Sequence, residues 1–224
     1  MLYAVITGDL IDSTKIPPAA VTSLFERLEK EIQAIQKEHA LVLEVYRGDS
    51  FQCLVKAPAQ SLRITLLLKT FFRSLNLKTL ESGSGKKKTI TSLPINLLDA
   101  RMALSVGPVE NLAPRLATSN GAAFQLSGRM LDQIKDSKQH LIIGSADNFH
   151  AEWQTESILL DALLARTSAL QCQVLHAKLK GHTETEIAKT LKIGQSAVNQ
   201  RAASGNWNAI NAMLKRFEEV YHHA

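Results

Sequence analysis

Two aspartates stand where carboxylates can do chemistry. Asp9 ends the apolar run Tyr3-Ala4-Val5-Ile6-Thr7-Gly8. Asp49 lies in Arg47-Gly48-Asp49-Ser50, between the β-rich runs Leu43-Glu44-Val45-Tyr46 and Phe51-Gln52-Cys53-Leu54-Val55. Gly-Asp between two such runs is a hairpin signal, with Asp49 at the tip. If the strand ending on Asp9 pairs with that hairpin, both carboxylates converge at one end of a sheet. Close carboxylates repel unless one is protonated or a cation bridges them, and hard oxygens suit Mg2+ or Mn2+. Residue type alone also allows a plain reading, with Asp49 a turn residue and Asp9 a cap. Asp12 reads as the N-cap of the 13–17 turn.

A second set of candidates lies near the C-terminus. Residues 183–201 have the pattern of a helix-turn-helix. Ile187, Ala188 and Leu191 form the inner side of a first helix, Ile193 plugs the turn, and Val198 anchors a second helix. Thr183 and Glu186 have capping-box spacing. Gln195, Ser196, Asn199, Gln200 and Arg201 would then face a DNA major groove, where Gln and Asn read adenine and Arg reads guanine or phosphate. A helical hairpin used for protein contact is the competing reading. Trp207, Ile210, Leu214 and Phe217 recur at helical steps and read as core or dimer packing.

The elements that position these residues follow from periodicity. Pro17-Pro18 opens a helix in which Val21, Leu24, Phe25, Leu28, Ile32 and Ile35 share one face. Strands over 40–46 and 51–56 follow, then a helix over 59–77 with Leu62, Thr65, Leu66, Lys69 and Phe72 on one side. The stretch 82–88, Ser-Gly-Ser-Gly-Lys-Lys-Lys, reads as a solvated basic loop and lacks the spacing of a phosphate-binding P-loop. A strand over 100–109, a helix over 121–135, a strand over 140–143 and a helix over 148–165 complete the order. The pattern β-α-β-β-α-β is α+β and ferredoxin-like, an antiparallel sheet with two helices on one face. The domains expected are 1–146, a helical linker 147–166, and an all-α helix-turn-helix domain 167–224.

Four segments in this order resemble the class III nucleotide cyclase domain, a relative of the GGDEF palm. They are Gly8-Asp9-Leu10-Ile11-Asp12-Ser13-Thr14, Arg47-Gly48-Asp49-Ser50-Phe51, Arg101-Met102-Ala103-Leu104-Ser105-Val106-Gly107-Pro108-Val109 and Gly121-Ala122-Ala123-Phe124-Gln125-Leu126-Ser127-Gly128-Arg129-Met130. The resemblance implies Mg2+ or Mn2+ held by Asp9, Asp49 and the backbone carbonyl of Leu10, and a bound nucleoside triphosphate. It implies transition-state roles for Gln125 and Arg129, supplied across a head-to-tail homodimer. It places the base-reading positions at Val45 and Thr118. Gln125 stands where the family has asparagine, and neither Val45 nor Thr118 has the family's adenine-reading chemistry. The tail resembles the helix-turn-helix of sigma-factor region 4 and of response regulators. The combination is similar to the SatD-like proteins of bacteria.

Whole-chain properties set the remaining bounds. The 224 residues carry a net charge of +5 and are 45% hydrophobic. From Arg166 onward, eight basic residues against four acidic ones leave an excess of four, which points mildly to an anionic partner. Cys53 and Cys172 read as separate buried thiols. No apolar run approaches the ~18 residues of a membrane span, and no leader is evident, so a cytoplasmic location is expected. The function expected is a transcriptional regulator with a cyclase-like sensor domain and duplex DNA as partner. The alternatives are an active nucleotidyl cyclase with a regulatory tail, or a dimeric scaffold with neither activity.

Overall fold

A computed structural model of the chain describes residues 1–16, 18–46, 49–75 and 98–223. The fold is mixed α and β, with one five-stranded sheet and eight helices among the described residues. The basic stretch 82–88 lies outside them, as do Arg47 and Gly48 of the hairpin.

The strands are β1 (Leu2–Leu10), β2 (Leu41–Tyr46), β3 (Ser50–Val55), β4 (Ala100–Pro108) and β5 (Leu141–Ser145). Their order across the sheet is β2-β3-β1-β4-β5. β1 is central, antiparallel to both β3 and β4, and β2 pairs antiparallel with β3. The sheet is not wholly antiparallel, because β5 runs parallel to β4. The link between those two strands is α3 (Ala122–Lys135). A helical crossover returns the chain in the same direction, so the parallel pair follows from the connection.

Ala4, Val5 and Ile6 are fully buried, the mark of a strand covered on both faces. On one face, Ala4, Ile6 and Leu10 share a core with Leu24 and Leu28 of α1 (Pro18–Glu38) and Leu62 and Phe72 of α2 (Ser61–Ser74). On the other, Val5 packs against Ala123 and Phe124 of α3, and Ala103 and Ile142 pack against its Met130, Leu131 and Ile134.

The C-terminal helices are α4 (His150–Ala165), α5 (Ala169–Leu179), α6 (Glu184–Leu191), α7 (Gln195–Ser204) and α8 (Trp207–Tyr221). Leu175 and Leu179 of α5, and Ile210, Leu214, Phe217 and Tyr221 of α8, belong to the same apolar cluster as α1, α2 and the sheet. So do Trp153, Leu160 and Leu164 of α4, which is packed into the core across the expected linker. Trp153 donates its indole N–H to the Tyr221 hydroxyl (2.8 Å), which donates in turn to Asp147 (3.0 Å). Arg63 of α2 grips Glu218 of α8 (2.7 Å), and Glu31 of α1 meets Lys180 (2.8 Å) at the end of α5. A separate small core of Val174, Ile187, Ala188, Val198 and Ala202 holds α5, α6 and α7 together.

A buried ion cluster lies under these contacts. Lys69, 1% exposed, bonds Asp99 Oδ1 and the Ala100 carbonyl, both at 2.7 Å. Arg73 meets Asp99 Oδ2 at 2.6 Å and donates to the Thr167 carbonyl at 2.9 Å. Burial alone would raise the Asp99 carboxyl, but Lys69, His140 and Arg73 outweigh it and hold it far below the usual carboxylate range. Cys53 and Cys172 are free and buried. No described helix is long and apolar enough to cross a membrane.

Candidate functional site

The candidate site is built on the end of β1. Gly8 lets β3 close down there: a Cβ on it would stand 2.4 Å from the Phe51 ring and 2.9 Å from the Arg101 carbonyl. Only hydrogen fits, so Phe51 seals the apolar side directly beside Asp9. The β1–β3 ladder pairs Asp9 with Ser50, and the Leu10 N–H donates to the Asp49 carbonyl (2.9 Å). Asp9 and Asp49 therefore occupy the same end of the sheet on neighbouring strands. Asp49 directly precedes β3.

The two carboxylates reach that end from different faces. Asp9 shares the α3 face with its cross-strand partners Ser50 and Arg101, and Arg101 Nη1 approaches Asp9 Oδ2 at 3.4 Å. Asp49 lines a cleft of about 270 Å³ on the α1 face. The cleft's apolar floor includes Leu10, Leu24 and Phe25, and its rim carries Ser13, Thr14 and Asp49. The Ser13 hydroxyl donates to Asp49 Oδ2 at 2.8 Å, and the Ser50 hydroxyl to Oδ1 at 3.3 Å. Burial raises the Asp9 carboxyl above its ordinary value; Arg101 and Lys135 oppose this, and the charge on Asp49 adds to it. Asp9 Oδ1 is buried and has no hydrogen-bond partner among the described residues. The unpartnered Asp9 oxygen is a hard ligand of the kind divalent cations take, and Asp9 and Asp49 are the carboxylates at this sheet end that would hold one. Among the described residues no three His, Cys, Asp or Glu side chains gather as a metal cage.

Asp12 does not cap through its side chain. It adopts the left-handed conformation (φ 55) before the 3-10 turn Ser13–Lys15 and pairs with Lys15 at 3.0 Å instead. A carboxylate turned back to Lys15 leaves the first N–H groups of the turn to the backbone.

The other residues of the cyclase resemblance fall as follows. Gln125 and Arg129 are exposed on α3, one turn apart. The Gln125 amide donates to Asn120 (3.1 Å), and neither side chain forms a hydrogen bond with Asp9 or Asp49. Val45 is 42% exposed on the edge strand β2, and Thr118 is exposed in the 3-10 turn Leu116–Thr118. Glu44 ties that turn to β2 by accepting from the Leu116 N–H (2.9 Å). Leu10 is buried, and its N–H is used in the bond to Asp49.

In the tail, Thr183 and Glu186 form the reciprocal capping box at the start of α6. Lys192 ends α6 with φ 54 in the left-handed region, and the chain turns into α7. Val198 and Ala202 face inward, while Gln195, Ser196, Asn199 and Gln200 are exposed and Arg201 is half-buried. Gln195 reaches back to the Thr185 hydroxyl of α6 at 3.0 Å. Sequence reasoning missed the polar residues on the α3 face, Thr7, Gln52 and Ser127, and the role of Arg101 beside Asp9. Alternation along β1 and β3 was the available signal for the first two.

No protein-family description matches the chain, and no curated protein matches it. Eleven chains of solved structures do. The crystal structure of the guanylyl cyclase Cya2 is 17% identical, with a TM-score of 0.45, over 64% of this chain and 75% of that one. The structure of a bacterial light-regulated adenylyl cyclase is 15% identical, with a TM-score of 0.39, over 64% and 75%. Likeness at this level leaves activity and substrate to the residues of the site itself.

Proposed function

We propose that this chain is a nucleotide-sensing, DNA-binding regulator. In this reading the sheet is of the split β-α-β, ferredoxin-like type, and its Asp9–Asp49 end takes a metal-bound nucleotide. The α6–α7 pair is a helix-turn-helix that takes duplex DNA. Asp9, Asp49 and the Leu10 carbonyl would hold Mg2+ or Mn2+, which supplies charge neutralisation at phosphate oxygens. If Gln125 and Arg129 act at this site, a second copy would have to supply them, so the reading includes a homodimer.

The observation that carries the regulator reading is a continuous connection between the two surfaces. The Ile11 N–H, two residues beyond Asp9, donates to the Asp99 carbonyl (2.9 Å). The Asp99 carboxylate holds Arg73, and Arg73 holds the Thr167 carbonyl. Thr167 immediately precedes Ser168, whose side chain caps α5 within a capping box with Gln171. In this reading a change at the β1 end would reach the helix that carries α6 and α7 along that route. Fluorescence anisotropy with labelled duplex DNA at low salt tests the DNA half. Replacing Asn199, Gln200 and Arg201 together by alanine should weaken binding at least about tenfold, the scale of one lost base or phosphate contact. Equal retention of that variant and the parent chain would remove α7 from the account.

A second reading, an active nucleotidyl cyclase with a regulatory tail, is favoured by the unpartnered Asp9 oxygen beside Asp49. It requires pyrophosphate release from a nucleoside triphosphate with Mn2+, and loss of that release in Asp49→Ala. Absence of pyrophosphate with every triphosphate would leave the sensor as the surviving reading.

A further inference from the structure

Helix α4 is apolar on the side facing away from the core as well as on the side facing it. Its buried residues are Trp153, Ser157, Leu160, Asp161 and Leu164. Ile158 and Leu159 lie on the opposite side and are 58% and 62% exposed. Ala151, Thr155 and Ala162 are exposed with them. At helical spacing these outer residues fall within an arc of about 100°. The small side chains Ala151, Thr155 and Ala162 run along its middle, with Ile158 on one flank and Leu159 on the other. No Lys or Arg occurs anywhere in the helix to solvate this face. An apolar stripe of this width is one that packs against another helix, with the small residues allowing a close approach.

The charges beside the stripe identify its occupant. Glu152 and Glu156 lie one turn apart on the Leu159 flank, where like charges repel. The guanidinium near them is that of Arg216 in α8, which meets Glu152 at 3.0 Å. Glu156 Oε2 is buried without a hydrogen-bond partner among the described residues. Burial and the charge of Glu152 raise the Glu156 carboxyl, and Arg216 opposes them. The flank is therefore short of positive charge. Arg166, exposed at the C-terminal end of α4, falls on the same flank but about 20 Å away along its own helix. A second copy laid antiparallel about a dyad at Ile158 and Leu159 brings its Arg166 to this acidic pair, because 152 and 166 are equally far from 159. The dyad makes the same contact twice. A parallel copy would set Glu against Glu and Arg against Arg. We infer that the outer face of α4 is a homodimer interface, in which two α4 helices pack antiparallel and Arg166 of each copy meets Glu152 and Glu156 of the other. This surface is distinct from a contact through Gln125 and Arg129, and it requires neither nucleotide nor DNA.

The test is sedimentation velocity of the full chain over a dilution series, without nucleotide or DNA. The parent chain should dimerise. Ile158→Glu combined with Leu159→Glu should raise the dimer Kd at least about a hundredfold, because each change enters the interface from both copies. Arg166→Gln should raise it about three- to tenfold, the scale of two exposed ion pairs, and that difference should fade at high salt. Melting curves at a dilution that leaves every chain monomeric check that these exposed substitutions keep the fold. If the double variant does not fold, Leu159→Ser, expected to weaken the dimer about tenfold, and Arg166→Gln still decide. A parent chain that stays monomeric overturns the interface. So does a dimer that the Ile158 and Leu159 changes leave intact, which would place the contact on another face. Tighter association in Arg166→Gln overturns the antiparallel arrangement. Because nucleotide is absent throughout, this result is separate from success or failure of the nucleotide reading.

Discussion

Asp99 sits between the candidate site and the tail, and its chemistry gives the sharpest residue-level prediction. Replacing it by asparagine leaves the buried Lys69 amine and the Arg73 guanidinium without their shared carboxylate, which should cost about 3–5 kcal/mol. Urea melts at pH 7 measure this directly. The folded carboxyl is depressed, so its stabilisation is present above the unfolded carboxylate value of about 3.9 and is lost as pH falls toward the folded value. The gap between parent and Asp99→Asn should therefore narrow below about pH 4; a constant gap would mean that the cluster is held by packing alone. The sequence makes Asp9 and Asp49 visible because each borders an apolar run. It hides Asp99, whose partners Lys69, Arg73 and His140 come from other elements and meet it only after folding. Gln52 is hidden for a related reason: a polar residue on a strand looks solvated until its face is known to be covered.

At the scale of elements, local signals read well and pairings read less well. The capping box of Thr183 and Glu186 and the inward set Ile187, Ala188 and Val198 are complete within a short window. The parallel placement of β5 and the position of α3 on the second face depend on a crossover, which periodicity cannot see. Ala188 makes the α6–α7 crossing testable. Ala188→Leu overpacks it and should destabilise the chain by about 1–3 kcal/mol. It should also weaken duplex DNA binding, although it leaves the outward residues of α7 unchanged. Thermal melts and anisotropy measured together check both effects. Destabilisation with unaltered DNA retention would detach the α6–α7 geometry from DNA binding.

Among the described residues, tail and sheet share a core. Burying a large apolar side chain contributes about 1.5–3 kcal/mol, and α8 alone contributes Ile210, Leu214, Phe217 and Tyr221 to that core. Deleting 170–224 should therefore leave α2 uncovered and give a fragment that aggregates or melts well below the full chain, as size-exclusion chromatography and melting curves would show. A well-behaved fragment would mean two independent domains. Composition marked the tail by its charge, but the apolar face that docks it is split between α5 and α8 and reads in sequence as each helix's own core. The central claim is that the Asp9–Asp49 end binds a metal-bound nucleotide, and a thermal-shift panel of nucleoside triphosphates, each with and without Mn2+, tests it most directly. The account predicts that one triphosphate with Mn2+ raises the melting temperature by about 5–10 °C at hundredfold excess over its Kd, and that Asp49→Ala loses the rise. A flat panel for the parent chain, or an equal rise in Asp49→Ala, would contradict it.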